Sequence, residues 1–195
     1  MSNQPTLRTE RLVLRPFAPS DADEVHAILQ EKEIASNTLH IPHPYPEGMA
    51  AEWITAHPSK WARGDGAIFA GTLPDDGRIV LAVGIEVEPP HRRAELGYWV
   101  ARPFWNQGYA TEAARAVMAF GFAELGLHRV QANHYSRNPS SGAVLRKLGM
   151  RHEGRLRQHT YKWGVFEDIE LYGILKDEMK GVRVTLESVD GVRVG

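Results

Sequence analysis

The sequence contains no cysteine. That absence excludes a thiol nucleophile, a thiolate zinc site and a disulfide framework, and it suits a reducing compartment. No stretch reaches the ~18 consecutive apolar residues of a membrane span, and Met1 to Arg8 holds no apolar run of signal-peptide length. Charge of one sign is lacking too. The formal net charge is -1, so neither nucleic acid nor an anionic membrane is advertised as a partner. Gly64 and Gly66 form a Gly-x-Gly, but the third glycine of a dinucleotide fingerprint is replaced by Phe69, and there is no Gly-Lys-Ser/Thr run. Internal repeats and low-complexity segments are absent as well. These absences lead to the expectation of a cytoplasmic protein.

What is present is ordinary globular material: 195 residues, 43% hydrophobic and 24% charged. A chain of this size can bury a core without staples. Arg11 to Arg15 alternates charge with branched aliphatics and predicts a strand. Pro19 or Ser20 opens a helix with Asp21, Asp23 and Glu24 in its first turn. Asn37 to Gly48 carries three prolines and predicts a loop, followed by a short helix around Ala50 to His57. Three strand-like runs follow, Ala67 to Thr72, Ile79 to Val87 and Ala94 to Val100, the first two joined by a Pro-Asp-Asp-Gly turn. Ala110, Ala113, Ala114, Val117 and Gly121 mark a helix over Tyr109 to Leu125. A strand at Val130 to Tyr135, a helix at Pro139 to Leu148 and a hairpin over Arg151 to Leu175 complete the pattern. The expected fold is α/β (α+β): a mixed, mostly antiparallel sheet of about seven strands with helices on both faces.

The segment Val100 to Ala113, VARPFWNQGYATEA, carries the strongest chemical signal. A strand ends, a loop with Gly108 follows, and a helix opens at once. Unpaired N–H groups at a helix start, together with the helix dipole, make an anion site apt for a pyrophosphate. Gly108 permits a tight turn and Ala110 leaves the approach clear. A strand-to-helix turn can also use glycine with no ligand in view.

This segment resembles the acetyl-CoA loop of the GNAT superfamily, Gln/Arg-x-x-Gly-x-Gly/Ala. Gly108-Tyr109-Ala110 fits its last half, and Trp105 departs from its first position, removing a polar side chain while leaving the backbone contacts. WNQGYATEA is similar to the RimJ/RimL branch, which includes ribosomal-protein N-terminal acetyltransferases. Thr9 to Arg15, Ala94 to Val100, Leu127 to Ala132, Asn138 to Ser141, Leu145 to Met150, Glu153-Gly154, Trp163-Gly164 and Asp168 to Tyr172 continue the resemblance in order. It spans about Thr9 to Asp177 and implies a GNAT-like sheet.

The resemblance implies acetyl-CoA as cofactor and direct attack on its thioester by an amine acceptor, either a protein N-terminus or a small amine. Such chemistry needs a proton acceptor for the amine, a donor for the thioester oxygen and a donor for the departing sulfur. Glu95 is the candidate base, sharing a strand face with Gly97 and Trp99; a solvated carboxylate or an ion pair with Arg92 or Arg93 is the plain alternative. The backbone of Trp99 and Val100 is the candidate holder of the acetyl carbonyl and pantetheine arm. Gln107, Gly108, Tyr109, Ala110 and Thr111 are candidates for the pyrophosphate. Asn138 is a candidate for the pantetheine amides and Ser141 for the same arm or as the acid, although both residue types also cap helices. Tyr98 and Tyr135 are alternative donors, or pocket wall. Glu112 reads as a dipole complement or ion pair. His40 and His43 lack a third ligand for a metal. The loop His40 to Glu47, near Trp53, is the expected docking place of the acceptor. Arg151, Arg155 and Arg157 read as a solvated strand face. A coenzyme A-binding sensor without catalysis remains the rival.

Residues 1–180 are expected to form the catalytic domain and residues 181–195 a tail. Val182, Val184 and Leu186 alternate with polar residues, and Asp190-Gly191 is a tight-turn pair. A short terminal hairpin is expected, covering either this subunit's sheet or a partner's in a homodimer.

Overall fold

Ile79–Glu88 is the most apolar strand, and its first five residues are all buried. Burial of successive residues means that both faces are covered, which places this strand at the middle of the molecule. The computed structural model describes residues 3–179 and the strand Thr185–Glu187. Among these residues the sheet has nine strands: β1 (Thr6–Arg8), β2 (Val13–Pro16), β3 (Gly66–Thr72), β4 (Ile79–Glu88), β5 (Arg93–Val100), β6 (Arg129–Tyr135), β7 (Arg151–Lys162), β8 (Val165–Leu175) and β9 (Thr185–Glu187). Their spatial order is β7-β8-β6-β5-β4-β3-β2-β1-β9. The β5–β6 pair is parallel and every other pair is antiparallel.

The sheet is thus wider than the seven strands expected. The Arg11 to Arg15 signal resolves into a hairpin: β2 starts only at Val13, and Thr9 to Leu12 is the turn, closed by Thr9 N–H to Leu12 O at 3.0 Å. The ninth strand lies in the tail and adds to this chain's own edge, with Leu186 opposite Leu7. The rest of the expected terminal hairpin lies outside the described residues.

Helices cover both faces. On one face α5 (Tyr109–Ala123) and α6 (Pro139–Lys147) pack over Ala94, Leu96, Val130 and Ala132. A Cβ on Gly121 would come within 2.9 Å of Leu127 and 3.1 Å of Ile85, so glycine lets α5 sit close to the sheet. On the other face α1 (Ala22–Leu29), α2 (Lys32–Ser36) and α3 (Met49–Thr55) surround a second cluster with Ala70, Ala82 and Trp99, while α4 (His57–Arg63) touches both layers, His57 meeting Phe17 and Trp53 and Trp61 stacking on Phe120. The expected helix over Ala50 to His57 is α3, and a further helix follows it directly. Pro58 occupies the first turn of α4, where its missing N–H is not needed. The five-residue α2 is too short to show a periodicity.

His57 lies in this second layer, 7% exposed, with Trp53 and Phe17 rings at 4.4 and 5.5 Å. Burial, assisted by Lys60, pushes its pKa down from 6.5 to about 4. The neutral imidazole is therefore the folded form. An unfolded chain takes up a proton below pH 6.5 and the folded one does not until about pH 4, so this stability is complete above pH 6.5 and is lost as pH falls towards 4. Urea unfolding across that window should show a steeper loss for wild type than for His57→Phe, by on the order of 3 kcal/mol. Parallel curves for the two proteins would show that His57 does not titrate with folding.

Candidate active site

The parallel pairing of β5 and β6 lasts for three residues: Arg93 opposite Arg129, Ala94 opposite Val130, Glu95 opposite Gln131. Both strands then continue, β5 still paired with β4 as far as Val100 and β6 still paired with β8 as far as Tyr135. Each strand keeps its outer partner while the inner edges part. Backbone groups on parted edges need other partners. Ala101 N–H donates to Val80 O at 2.8 Å while Val100 stands opposite Leu81. That makes Val100–Leu81 a wide pair of the ladder, so Tyr98 and Val100 turn their N–H groups away from β4 and towards the opening. Trp99, opposite Ala82, is bonded within the ladder. The expectation for the Trp99 backbone is thereby corrected, because its N–H is used within the ladder, whereas the Val100 N–H faces the opening.

Beyond β5 the chain makes a short turn at Arg102–Phe104, passes Asn106 and Gly108 at φ 61° and 84°, and enters α5. Glu112 N–H to Gly108 O, at 3.1 Å, is the first bond of the helix. The N–H groups of Tyr109, Ala110 and Thr111 precede it and have no intrahelical acceptor. The loop is tied internally: the Gln107 side chain donates to Pro103 O at 2.9 Å and the Trp105 indole to Val100 O at 2.8 Å. Trp105, the departure from the family pattern, therefore binds the loop back onto β5. Gln107 to Thr111 thus span the loop end and the first turn of α5.

Ser141 lies in the first turn of α6, its hydroxyl 2.8 Å from that of Tyr98. Burial pushes the Tyr98 phenol up to about 12, with the Ser141 bond acting in the opposite direction, so Tyr98 keeps its proton at neutral pH. Asn138 caps the helix, its Oδ1 accepting from Ser141 N–H at 3.3 Å. That leaves its amide N–H donors for other use. Glu95 stands on the other side of the sheet from this pair, because it shares the face of Trp99 while Tyr98 shares that of Leu96. Its Oε1 accepts from Asn133 Nδ2 at 2.9 Å. Arg93 pairs with Glu88 at 2.7 Å and Arg92 donates to Gly126 O, so neither takes Glu95. A Cβ on Gly97 would meet nothing within 4 Å, which leaves open space beside Glu95.

The remaining candidates are structural. Glu112 binds Arg11 and Thr9. Arg155 pairs with Asp168, and Arg151 with Glu178 at 2.7 Å. Trp53, on α3 and half-buried, packs on Phe17 and His57. Ile41 and Tyr45 of the proline-rich loop share the apolar cluster of Trp53, and the loop also meets the tip of the β7–β8 hairpin. Lys162 there donates to Thr38 O, Leu39 O and Ile41 O, and Trp163 lies 6.3 Å from His43. Tyr135 is buried, its hydroxyl without a hydrogen-bond partner among the described residues, and Arg137 lies over its ring at 4.7 Å. Neither the Tyr98–Ser141 contact nor the Glu95–Asn133 contact was read from the sequence. Strand alternation could have placed Tyr98 towards α6, but the Asn133 contact needs the register of two distant strands.

Comparison with known proteins follows the same geometry. The family model described as an acetyltransferase (GNAT) domain matches residues 11–151. The N-acetyltransferase YoaA of Bacillus subtilis is 30% identical over 173 residues, covering 88% of this chain and 97% of that protein. A GNAT-family acetyltransferase of Bacillus anthracis superposes with a TM-score of 0.79 at 25% identity, covering 89% of this chain and 99% of that one. Mycobacterium smegmatis RimJ, solved with a coenzyme A disulfide, gives 0.77 at 25% identity, with 93% of both chains covered. A matching family model over most of the sequence, and relatives aligned nearly end to end, show that the chain belongs to the GNAT acetyltransferase family.

Proposed function

We propose that the protein transfers an acetyl group from acetyl-CoA to a primary amine, with a protein N-terminal α-amino group as the first acceptor to test. The observation that carries this reading is the parting of β5 and β6 beside the start of α5. The N–H groups that open α5 and those of Tyr98 and Val100 that face the parted edge support an anion site at one end of a slot. The likeness to RimJ, whose structure holds a coenzyme A disulfide, supports both the cofactor and the RimJ/RimL-like branch.

In this reading the N–H groups of residues 107–111 hold the pyrophosphate at the helix start. The amide of Asn138 and the N–H groups of Tyr98 and Val100 line the pantetheine path. Bound acetyl-CoA supplies a reactive thioester, whose C–S bond breaks as the C–N bond to the amine forms. The acceptor is mostly an ammonium at neutral pH, its reference pKa about 8 for an α-amino group. Glu95 accepts that proton on the open face above Gly97, directly or through water. Tyr98 and Ser141 stand on the opposite face with hydroxyl protons to give to the departing sulfur. Amine and thiolate thus use opposite sides of one sheet, and the slot connects them.

Three measurements test this. Gly108→Val combines a branched side chain with a φ of 84° that it rarely adopts; calorimetry should show coenzyme A affinity reduced by at least about 10-fold. Unchanged affinity in the folded variant would remove the pyrophosphate from this loop. Glu95→Gln should lower kcat by about 100-fold with little change in coenzyme A affinity, and the acid limb of the pH–rate profile should disappear. A variant as fast as wild type on a fully protonated amine would point to another base. Ser141→Ala and Tyr98→Phe should each lower kcat by about 10-fold, and the double variant by less than the product of the two. Coenzyme A binding without turnover of any amine, peptide N-termini and polyamines included, would instead favour a sensor.

A further inference from the structure

Arg11, in the β1–β2 turn, reaches across the sheet edge to the α5 loop. Its Nε donates to Glu112 Oε2 at 2.7 Å, and its backbone N–H to Glu112 Oε1 at 2.8 Å. Thr9 Oγ1 adds a bond to the same Oε1 at 2.6 Å. Burial would raise the Glu112 carboxyl, but these bonds outweigh it and hold it below the usual carboxylate range. The guanidinium lies 4.4 Å from the Tyr109 ring centroid, and its Nη1 donates to Gln107 O at 3.0 Å.

That last bond has a direction. In a trans peptide the C=O and the following N–H point opposite ways. Holding Gln107 O against Arg11 therefore turns the Gly108 N–H away from Arg11. Gly108, at φ 84°, could otherwise rotate this peptide with little steric resistance. Glu112 is itself an anion in the first turn of the helix meant to receive an anion, and Arg11 neutralises it. We propose that Arg11, braced by Glu112 and Thr9, is a positioning residue that fixes the peptide between Gln107 and Gly108 so that its N–H serves the pyrophosphate. This rests on acetyl-CoA being the donor. It adds to the family's loop pattern a residue nearly a hundred positions away, in a chain where Trp105 has replaced the polar first position of that pattern.

The test is selective binding. Coenzyme A and pantetheine share the thiol arm, and pantetheine lacks the pyrophosphate. Their affinities are measured by calorimetry for wild type, Arg11→Met and Arg11→Lys, alongside melting temperature without ligand. Both variants should bind coenzyme A about 10-fold more weakly, the scale of one charge-assisted hydrogen bond, and pantetheine as wild type does. KM for acetyl-CoA should rise with kcat unchanged. Lysine keeps the charge but has no planar fork to bond Gln107 O and Glu112 Oε2 together, as the guanidinium does. Full affinity in Arg11→Lys would overturn the proposal in favour of simple charge attraction. Equal losses for both ligands, or a lower melting temperature with unaltered affinities, would reduce Arg11 to a structural tie. If wild type binds coenzyme A no better than pantetheine, the phosphate reading of the loop fails, and the Arg11 proposal fails with it.

Discussion

Two neighbouring strands that separate must each be held from outside, because the contact that would hold them together has been given up. After Glu95 and Gln131 the pairing between β5 and β6 ends, and the rest of the architecture supplies the support. β4 holds β5 through eight consecutive residue pairs, and β8 holds β6 through seven. Those outer ladders need partners of their own, which explains the width of the sheet on either side. A narrower sheet would leave an opened strand as a frayed edge.

Packing on the two faces gives the opening its chemistry. On one face small residues, Ala113, Ala114 and Gly121, bring α5 close enough for its N-terminus to arrive beside the end of β5. Gly142 does the same for α6, since a Cβ there would meet His134 at 2.6 Å. The first turn of α6, with Asn138 and Ser141, is thereby set against Tyr98. The other face is built from large side chains at Phe17, Trp53 and Trp99, with clear space left over Gly97. The faces therefore differ in kind: helix starts and hydroxyls on one, a carboxylate and a cavity-forming glycine on the other.

Much of this was legible from the chain alone. The α5 segment was readable because its apolar residues repeat at helical spacing and a glycine precedes its first turn. β3, β4 and β5 were readable from apolar runs bounded by turn residues. α4 was hidden by Pro58, a helix breaker in the interior that is harmless in a first turn. The β1–β2 hairpin was hidden because a turn closed by a threonine side chain looks, residue by residue, like a continuous strand. Among the candidate residues, the loop that opens α5 was local and therefore visible. Glu95 with Asn133, Tyr98 with Ser141 and Arg11 with Glu112 are separated by 38, 43 and 101 positions; strand register brings the first pair together, and the packing of α6 and α5 brings the other two. The exclusion of the Trp99 backbone depended on ladder parity, which one strand's sequence does not contain.

The Tyr98–Ser141 pair has one property that a lone hydroxyl lacks. Two hydroxyls 2.8 Å apart carry two protons, and only one is used between them. The oxygen that accepts has its own proton free to aim elsewhere. If the two exchange roles, each by rotating about its C–O bond, the spare proton moves from one oxygen to the other with no charge created. With the phenol pKa near 12, ionisation is not a competing route at neutral pH. The pair is a two-position proton rotor, able to present a hydrogen from the strand side or from the helix side.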